Sequence, residues 1–544
     1  MSQRVPASVD RAAKELRGLA ALIRCGMLGA ESPSKLLSIG KALHAYGAFG
    51  SATRIAALRH GDATAIVDAR GSLSFQELDD QVNSLAESLR KSGVGQRSKI
   101  GILCRNHRAP LIVAFACARL GADAIYLNTG FSPRQAEEVA VREGLESLFF
   151  DIEFAAIADS LPLNGDAFSC EPEHGKTGGI DELIARSEAV LPEPPKTMGR
   201  IVLLTSGTTG TPKGAARPDP RGFIGPGAIL ERLPMKAGGA TVIVPPLFHG
   251  TGLLIALLSL ALGSKLVLRP RYDAAEVLED VQKHQATTVC LVPIMLQRIL
   301  ALGPEKIDSY DLSSLEVLFS AGSQLPAHVA QSATEQLGEV VYNLYGSTEV
   351  SIATLATPSD VREAPTSVGK PVFSARVRIL DDQGTSVAQG EIGRIFVGTN
   401  TPFEGYTGGG AKEIVDGLLA TGDLGHLDAE GRLYVDGRDD EMIISGGENV
   451  FPREIEELLI EHPSVHDAAA IGVPDEEFGQ RLCAFIVLLD GEELSVDGVK
   501  EFVKSNLARY KVPRDVVFLP SLPRNPTGKV LKRELAQSVS VDRP

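Results

Sequence analysis

The sequence predicts an α/β protein, and two patterns along its 544 residues lead to that prediction. From about residue 51 to residue 440, helical stretches such as residues 74–92 alternate with short apolar runs, which is typical of mostly parallel sheets. The last hundred residues follow a compact α+β pattern instead, with helices expected over 452–461 and 496–506. We therefore expect a large N-terminal domain followed by a small C-terminal domain.

The individual elements follow from local composition. Apolar runs predict strands at residues 99–103, 124–127, 201–204, 241–244 and 288–292, and near Ala468 and Leu482. The apolar stretch Leu253–Leu262 predicts a buried helix, because it is too short to span a bilayer. The Pro-, Gly- and acid-rich stretch 162–198 predicts an exposed connection. The predicted domains are 1–50, an amphipathic extension; 51–439, the large domain; and 440–544, the C-terminal domain.

The N-terminal extension contains two short amphipathic patterns separated by Ser32-Pro33, a typical helix start. The apolar positions at helical spacing are Leu16, Leu19, Ile23 and Met27, then Leu36, Ile39 and Leu43. Up to Lys41 there are seven Lys or Arg residues against three Asp or Glu, a local excess of +4. Two helices docked on the main body are favoured, and a peripheral membrane contact is the alternative.

Charge and cysteine usage narrow the function classes. The net charge of −15 argues against nonspecific binding to nucleic acid, so an anionic ligand needs a local cation or backbone N–H groups. The six cysteines form no CxxC pair and accompany no histidine cluster, which argues against a structural zinc or a disulfide framework. This usage, and the Arg24 that interrupts an N-terminal apolar run, favour a cytoplasmic protein without a signal peptide.

The segment LLTSGTTGTPKGA, Leu203–Ala215, concentrates small polar residues directly after an apolar strand. Such a loop lets backbone N–H groups and hydroxyls approach a phosphate, and Lys213 adds a positive charge. A Walker A loop does not fit, because Lys213 follows Pro212 and precedes Gly214 instead of a Ser or Thr. A flexible linker fits poorly after a buried strand. The segment therefore predicts a phosphate-binding loop.

The order TSGTTGTPKG resembles the phosphate loop of the adenylate-forming (ANL) superfamily, which includes acyl-CoA synthetases. Further segments that resemble family motifs follow in order: PPLFHGTG (245–252), FSAGSQLP (319–326), NLYGSTE (343–349), TGDLGHLD (421–428), GRDDEMIISGGENVFPREIE (437–456) and LPRNPTGKVLKREL (522–535). The matches run from about residue 70 to residue 535. The resemblance implies the ANL fold, in which a large domain with mixed and parallel sheets sandwiched by helices precedes a small mobile α+β domain.

The resemblance also implies roles for individual residues. Lys529, His249 and Thr348 are the expected catalytic residues, and Glu349 is the expected magnesium ligand. Residues expected to bind ATP or AMP are Thr205, Ser206, Gly207, Thr208, Thr209, Gly210, Lys213, Gly322, Asn343, Tyr345, Gly346, Ser347, Asp423 and Arg438. Those expected in the acyl pocket are Phe248, Gly250, Gly252, Ser320 and Ala321. Gly446 and Gly447 are expected in the coenzyme A tunnel, and Asp440 at the hinge between the domains.

The implied reaction activates a carboxylic acid with ATP and Mg²⁺ and passes the acyl group to coenzyme A. His249 stands where amino-acid-activating relatives have Asp, which disfavours an amino acid, and the small or apolar pocket residues favour a fatty acid. An aromatic acid, and a fatty acyl-AMP ligase that loads a carrier protein, stay open as alternatives. A non-catalytic binder predicts loss of Lys529, Glu349 or Asp423, and all three are present. A homodimer also stays open.

Overall fold

A computed structural model gives the fold. It describes residues 7–171, 179–205, 213–217, 222–400, 405–407, 412–439, 443–445, 448–475, 479–507, 511–526 and 528–541. The chain forms two compact units. The first comprises residues 1–363, 371–376 and 399–412, and the second comprises 364–370, 377–398 and 413–544.

Helices and strands follow one another over the whole described chain. The helices are α1 (Ala7–Arg24), α2 (Pro33–His60), α3 (Phe75–Lys91), α4 (Arg108–Leu120), α5 (Pro133–Glu143), α6 (Ala155–Ala158), α7 (Ile180–Ala185), α8 (Ile224–Leu230), α9 (Gly250–Ala261), α10 (Ala274–His284), α11 (Pro293–Leu300), α12 (Pro304–Ile307), α13 (Ala327–Leu337), α14 (Pro358–Glu363), α15 (Pro452–Ile460), α16 (Val496–Asn506) and α17 (Lys532–Val541). A 3₁₀ turn spans Ile152–Phe154.

The strands of the first unit are β1 (Thr64–Asp68), β2 (Gly71–Ser74), β3 (Lys99–Leu103), β4 (Asp123–Tyr126), β5 (Ser147–Phe150), β6 (Ala167–Ser169), β7 (Ile201–Thr205), β8 (Lys213–Arg217), β9 (Ala240–Ile243), β10 (Lys265–Leu268), β11 (Thr288–Leu291), β12 (Val317–Ala321), β13 (Val341–Ser347) and β14 (Ser351–Ala356). From the end of that unit onward come β15 (Lys370–Pro371), β16 (Arg376–Leu380), β17 (Gly393–Gly398), β18 (Ile414–Val415), β19 (Leu418–Leu427), β20 (Leu433–Arg438), β21 (Ile443–Ser445), β22 (Glu448–Val450), β23 (Val465–Asp475), β24 (Gly479–Leu488) and β25 (Asp515–Phe518).

Two largely parallel sheets organise the first unit. One has the strand order β15-β14-β13-β12-β11-β9-β10-β1-β2, and the other has the order β6-β5-β3-β4-β7-β8. Pairing is parallel from β13 to β1 and from β6 to β7, whereas β1–β2, β13–β14 and β7–β8 are antiparallel. The main core cluster combines side chains of both sheets with α3, α4 and α9. Helix α4 is buried along its whole length, as expected for a helix covered on every side.

The second unit is built on two smaller sheets. Strands β16-β17-β19-β18 form one sheet in which β20 also pairs with β19, and β22-β21-β24-β23 form the other, to which β25 adds in parallel. Helices α15 and α16 bury Ile455, Leu459, Val499 and Val503 in a core with β23 and β24. This α+β arrangement, together with the mixed and parallel sheets of the first unit, confirms the predicted fold class.

Local sequence signals mark several element ends correctly. Ser74 caps α3 in a capping box with Glu77, and Ser32 caps α2 with Pro33 in its first turn. The stretch 162–198 is not only an exposed connection, because it contains β6 and α7. The antiparallel pairing of β17 to β20 was also not expected, since this region was assigned to the mostly parallel α/β pattern. Helix by helix, the described part of the chain offers no segment with the length and hydrophobicity that crossing a bilayer requires.

Candidate active site

The start of helix α9 holds His249, one of the predicted catalytic residues. His249 is the residue before the first turn, its backbone is extended, and Leu253 N donates to its carbonyl oxygen at 3.1 Å. The ring of the buried Phe248 lies 5.5 Å from the imidazole, centroid to centroid. Burial lowers the pKa of His249 from its ordinary value near 6.5 to about 4. The imidazole is therefore neutral at physiological pH.

Asn106 fixes the loop that leads into this helix, and the sequence analysis did not identify it. Its Nδ2 donates to Pro245 O at 2.9 Å, and its Oδ1 accepts from Leu247 N at 2.8 Å. Asn106 is buried just beyond the end of β3, so a residue far away in the chain positions Phe248 and His249. A polar residue after a buried strand was the available signal, but its partner could not be deduced from one sequence.

Two glycines in the first turn of α9 have different surroundings. A Cβ at Gly252 would lie 2.7 Å from the carbonyl oxygens of Pro245 and Pro246, so glycine is required for this close approach. A Cβ at Gly250 would meet only Leu203 Cδ1, at 3.8 Å. Gly252 therefore serves the tight packing of the loop against the helix, whereas Gly250 leaves space beside His249.

Near the carboxyl end of β12, two buried polar side chains on β12 and β13 each have an oxygen without a hydrogen-bond partner. Ser320 and Asn343 are opposite each other in the parallel pairing of these strands. Both residues are buried, and neither Ser320 Oγ nor Asn343 Oδ1 has a hydrogen-bond partner. Next along the chain, Ala321 ends β12, and Gly322 turns away with a φ of 93°, which favours glycine. Buried polar atoms are normally paired, so this edge is suited to a polar ligand.

The segment NLYGSTE (343–349), which contains predicted nucleotide-binding residues, covers the end of β13 and the start of the turn to β14. The pairing shifts between Tyr345 and Gly346, and a Cβ at Gly346 would lie 1.9 Å from Ser351 O. Ser351 itself has a φ of 63°. The glycine is therefore needed for the bulge, which re-aims the chain at the end of β13. Tyr345 and Thr348, on either side of Ser347, are half-buried.

Glu349 is held by two hydroxyl groups at the end of this turn. Ser347 Oγ donates to one carboxylate oxygen at 2.8 Å, and Tyr406 OH donates to the other at 2.7 Å. Burial by itself would raise the pKa of the Glu349 carboxyl, but these hydrogen bonds and the charge of Lys412 more than offset it and lower the pKa. The carboxylate is thus ionised and oriented, as a magnesium ligand must be. Tyr406 was missed because nothing in its local sequence points to Glu349.

The strands on either side of the phosphate-loop motif form an antiparallel hairpin. The backbone of Thr205 pairs with that of Lys213, so the two ends of the loop are adjacent. Thr407 N and Oγ1 both donate to Gly214 O, at 2.9 and 3.2 Å, and Thr407 Oγ1 also donates to Glu143 Oε1 at 2.7 Å. The predicted loop residues Ser206, Gly207, Thr208, Thr209 and Gly210 lie outside the described residues.

In the second unit, Asp423 and Arg438 are directly opposite each other on β19 and β20. Arg438 Nη1 lies 3.3 Å from Asp423 Oδ1. The backbone N–H of Asp423 donates to Thr421 Oγ1 at 3.0 Å, and Thr421 is buried. The structure therefore brings these two predicted nucleotide-binding residues together on one antiparallel strand pair.

Lys529 lies at a tight turn of the second unit. Asn525 N donates to Lys529 O at 2.9 Å, and the backbone N–H of Lys529 donates to Asn525 Oδ1 at 2.9 Å. Gly528 has a φ of 79°, and its carbonyl accepts from Arg524, which is paired with Asp467. The lysine side chain is exposed next to this turn. The predicted hinge residue Asp440 and the tunnel glycines Gly446 and Gly447 lie outside the described residues.

A second group of potential metal ligands lies away from these motifs. Cys104, Asp151 and Cys170 follow the carboxyl ends of β3, β5 and β6, and their ligand atoms lie within 4.8 Å of one another. Burial raises the pKa of the Cys104 thiol, and the hydrogen bond with the neighbouring Cys170 raises it further. Asp151 already accepts from Arg105 N at 2.7 Å and contacts His107 Nε2 at 2.8 Å. Asp151 is thus already engaged by two neighbouring groups.

Comparison with known families decides the relationship. Residues 53–407 match the AMP-binding enzyme family, and residues 454–529 match the AMP-binding enzyme C-terminal domain. The chain belongs to the AMP-binding enzyme family. The resemblance to the ANL superfamily is thereby confirmed.

Three of the similar proteins are named as CoA ligases or CoA synthetases. The chain is 34% identical to an indoleacetate–CoA ligase of Aromatoleum aromaticum, over 88% of this chain and 95% of the relative. Its fold is similar to that of o-succinylbenzoate CoA synthetase from Bacillus subtilis in complex with its acyl-adenylate intermediate, with a TM-score of 0.78, 28% identity, and 89% and 97% of the two chains covered. It is also similar to an anthranilate–CoA ligase in complex with anthranoyl-AMP, with a TM-score of 0.80, 25% identity, and coverage of 91% and 98%.

Proposed function

We propose that this enzyme converts an aromatic carboxylic acid to its coenzyme A thioester in two steps. In the first step, a carboxylate oxygen of the acid attacks the α-phosphorus of ATP, the bond to the β-phosphate breaks, and pyrophosphate leaves. In the second step, the sulfur of coenzyme A attacks the carbonyl carbon of the acyl-adenylate, and AMP leaves. Adenylation supplies the leaving group that a carboxylate lacks.

The observation that carries the proposal is the unpartnered pair Ser320 Oγ and Asn343 Oδ1 at the carboxyl edge of the main sheet. Ligands of open α/β sheets bind outside the carboxyl ends of the strands. An unsatisfied buried oxygen costs free energy unless a ligand supplies a donor, and both the nucleotide and its acyl group approach this edge in the proposed arrangement. Tyr345, two residues beyond Asn343, is expected to stack on the base.

Glu349 fits the role of magnesium ligand in this proposal. Each of its carboxylate oxygens accepts one hydroxyl proton and keeps a further lone pair for a cation. Mg²⁺, when bound there, would neutralise charge on the phosphate oxygens of ATP. Thr348 would donate to the α-phosphate, and the loop from Thr205 to Lys213 would hold the β- and γ-phosphates.

A neutral His249 suits the first step better than a charged one. The attacking group is a carboxylate, and an imidazolium beside it would stabilise this ground state and reduce its nucleophilicity. The low pKa of His249 avoids that loss while leaving an N–H group that can orient the carboxylate. Phe248 would line the acyl pocket next to His249, and the absence of a side chain at Gly250 would leave room in that pocket.

Residues of the second unit would complete both steps. Asp423 would accept from the ribose hydroxyls, with Arg438 holding its carboxylate in place. Lys529 would stabilise the charge that develops on the phosphate during adenylation. For the second step we propose that a mobile domain, residues 440–544, rotates about Asp440 and forms the thiol tunnel beside Gly446 and Gly447.

The identity of the acid is inferred from the relatives. The small and apolar residues Gly250, Ala321 and Gly322 are compatible with a fatty acid, which the sequence analysis ranked first. The indoleacetate–CoA ligase and the two similar solved enzymes carry aromatic acids in their names, which favours the aromatic alternative. Coenzyme A is the proposed acceptor because the names of these relatives include CoA ligase or CoA synthetase. Transfer to a carrier protein is the second candidate.

Product analysis tests this proposal. The purified enzyme is incubated with ATP, Mg²⁺ and coenzyme A together with indoleacetate, 2-succinylbenzoate, anthranilate or a chain-length series of fatty acids, and thioester and AMP are quantified by mass spectrometry. We expect one AMP per thioester and a higher kcat/KM for an aromatic acid than for any fatty acid. A fatty acid that exceeds every aromatic acid would contradict the proposed substrate class. Accumulation of acyl-adenylate without thioester would instead contradict coenzyme A as acceptor.

A further inference from the structure

Exposed apolar side chains are concentrated in the N-terminal helices. Sixteen large hydrophobic residues of the described chain are exposed, and six of them lie between residues 9 and 43: Val9, Leu16, Ile23, Leu36, Leu37 and Leu43. We call the exposed side chains of residues 9–44 the extension surface. The family match begins at residue 53, so this surface lies outside the catalytic family's own sequence. Single exposed apolar residues are ordinary, whereas such a cluster marks an interaction site.

In α1 the exposed apolar residues form one row. Val9, Leu16 and Ile23 are seven residues apart, which places them on the same side of the helix. Leu16 is 68% exposed, although leucine in a soluble helix usually faces the core. The opposite side of α1 carries Gly18 and Leu22, and both are buried. The helix is therefore apolar on the side that packs and also on the side that faces solvent.

Packing fixes which side of α1 is exposed. A Cβ at Gly18 would lie 2.4 Å from Phe223 O, so the helix backbone directly contacts the start of α8. Arg17 Nε donates to Glu231 Oε1 at 2.6 Å, and Phe223 N donates to Glu15 at 2.7 Å. A rotation that covered Leu16 would break all these contacts. The exposed row is thus a stable property of the folded chain.

Helix α2 repeats this arrangement in its first half. Leu36, Leu37 and Leu43 are exposed, whereas Ala42 and Tyr46 are buried. Gly47 interrupts α2 with a φ of 68°, and beyond this break the buried Arg119 anchors the second half, donating from Nε to Gly50 O at 3.0 Å and from Nη2 to Thr53 Oγ1 at 2.7 Å. Docking on the body and exposure of apolar side chains therefore occur together, and the two alternatives of the sequence analysis do not exclude each other.

The charges on the extension surface have one predominant sign. Its exposed lysines and arginines are Arg11, Arg17, Arg24 and Lys41, and among residues 9–44 Asp10 is the one acidic residue in the exposed class. Because Arg17 is paired with Glu231, the other three cations provide the local positive excess. Arg17 and Arg24 lie beside the apolar row of α1 on the helical wheel. The whole chain carries a net charge of −15, so this is a local reversal of sign.

We propose that the extension surface binds the surface of an anionic lipid bilayer. Apolar residues flanked by cations are the pattern of helices that lie in the membrane interface, with leucine side chains among the acyl chains and cations at the headgroups. A symmetric dimer through this surface is disfavoured, because it would place like charges of two copies against each other. The proposal does not depend on which acid the active site activates.

Vesicle flotation tests the proposal with the full-length protein. The probes are vesicles of phosphatidylcholine containing phosphatidylglycerol and vesicles of phosphatidylcholine alone, at low and high salt. We expect binding to the anionic vesicles that weakens with salt, and weaker binding to the neutral ones. The double variant Leu16→Gln, Leu37→Gln should bind anionic vesicles at least about tenfold more weakly, because two apolar side chains no longer insert into the bilayer.

A matched control separates insertion from general stickiness. Val141 is 65% exposed, close to the 68% of Leu16, and lies in α5. Val141→Gln should leave vesicle binding unchanged, and all variants should keep the melting temperature of the parent. No binding to either vesicle type would overturn the proposal, and so would equal loss of binding in the Val141 variant. A stable dimer that light scattering shows to dissociate in the double variant would assign the surface to self-association and overturn it as well.

Discussion

The protonation states of two side chains, His249 and Glu349, decide how the proposed chemistry can work. Burial leaves the imidazole of His249 neutral, and hydroxyl donors keep the Glu349 carboxylate ionised despite its burial. In the proposed chemistry, His249 would place no charge next to the nucleophilic carboxylate, and Glu349 would supply a negative ligand for a cation. The residue types could be inferred from the motifs. Their protonation states could not, because they depend on burial and on Tyr406.

The pH dependence of stability tests the state of His249. Its pKa is about 4 in the folded chain and near 6.5 when unfolded, so between these values the unfolded chain binds more protons. Stability contributed by the neutral ring is therefore complete above pH 6.5 and is lost as the pH falls towards 4. The melting temperature of the wild type relative to His249→Gln should fall over this range. A difference in melting temperature between the wild type and His249→Gln that stays constant from neutral to acidic pH would contradict the assignment. The variant His44→Gln, at an exposed histidine, is the control.

Glu349 and Tyr406 form a pair whose roles can be separated. Glu349→Gln should lower the rate of adenylation about a hundredfold at saturating Mg²⁺, because a charged ligand is lost. Tyr406→Phe removes only the hydroxyl that orients this ligand, and should raise the Mg²⁺ concentration for half-maximal activity about tenfold. Both values come from titrating Mg²⁺ in a pyrophosphate-exchange assay. If Tyr406→Phe lowered the maximal rate without changing the Mg²⁺ dependence, the positioning role would be wrong.

At the scale of elements, predictions from sequence succeeded where periodicity and caps were local. Helix α3 and strands β3, β7 and β11 lie close to their expected positions. The antiparallel strands β17 to β20 were missed, because strands that follow one another without helices between them lack the alternation of helix and strand. The clamp of Asn106 on Pro245 and Leu247 was also missed, since it joins positions about 140 residues apart. Local sequence patterns predict helices and strands, whereas contacts between distant parts of the chain determine how functional side chains are positioned.

The start of α9 offers a matched pair of substitutions. Gly252→Ala should destabilise the protein by about 2 kcal/mol, because its methyl group meets two carbonyl oxygens at 2.7 Å. Gly250→Ala adds the same group to the same helical turn with its nearest neighbour at 3.8 Å, and should leave stability unchanged or slightly higher. Thermal denaturation of the two variants measures the difference. Equal melting temperatures would mean that the close packing of loop and helix is not needed.

For the whole molecule, the family relationship and the fold class followed from the order of the motifs along the chain. What the motifs did not determine is the acid, because pocket size depends on side chains from many elements, and the relatives changed the favoured class from fatty to aromatic. The loop Ser206 to Gly210, Asp440 and the tunnel glycines stay as predictions from the resemblance. In the proposed mechanism, Lys529 acts in adenylation, and the tunnel glycines act in thioester formation.

Lys529→Ala tests that division of labour. Because its charge is proposed to act only in adenylation, the variant should lose nearly all formation of acyl-adenylate from ATP. It should still convert supplied acyl-adenylate and coenzyme A to thioester at close to the wild-type rate. Single-turnover assays of each half-reaction provide both rates, and Lys532→Ala in the same segment is the control. Equal loss in both steps, or in neither, would rule out the role proposed for Lys529.

The most direct test of the central claim is the exchange of labelled pyrophosphate into ATP without coenzyme A. An enzyme that forms an acyl-adenylate must catalyse this exchange when, and only when, its acid is present. We predict exchange that depends on an aromatic acid such as indoleacetate, requires Mg²⁺ and proceeds with no thiol added. Absence of acid-dependent exchange, in a preparation that forms thioester when coenzyme A is supplied, would contradict the acyl-adenylate route itself.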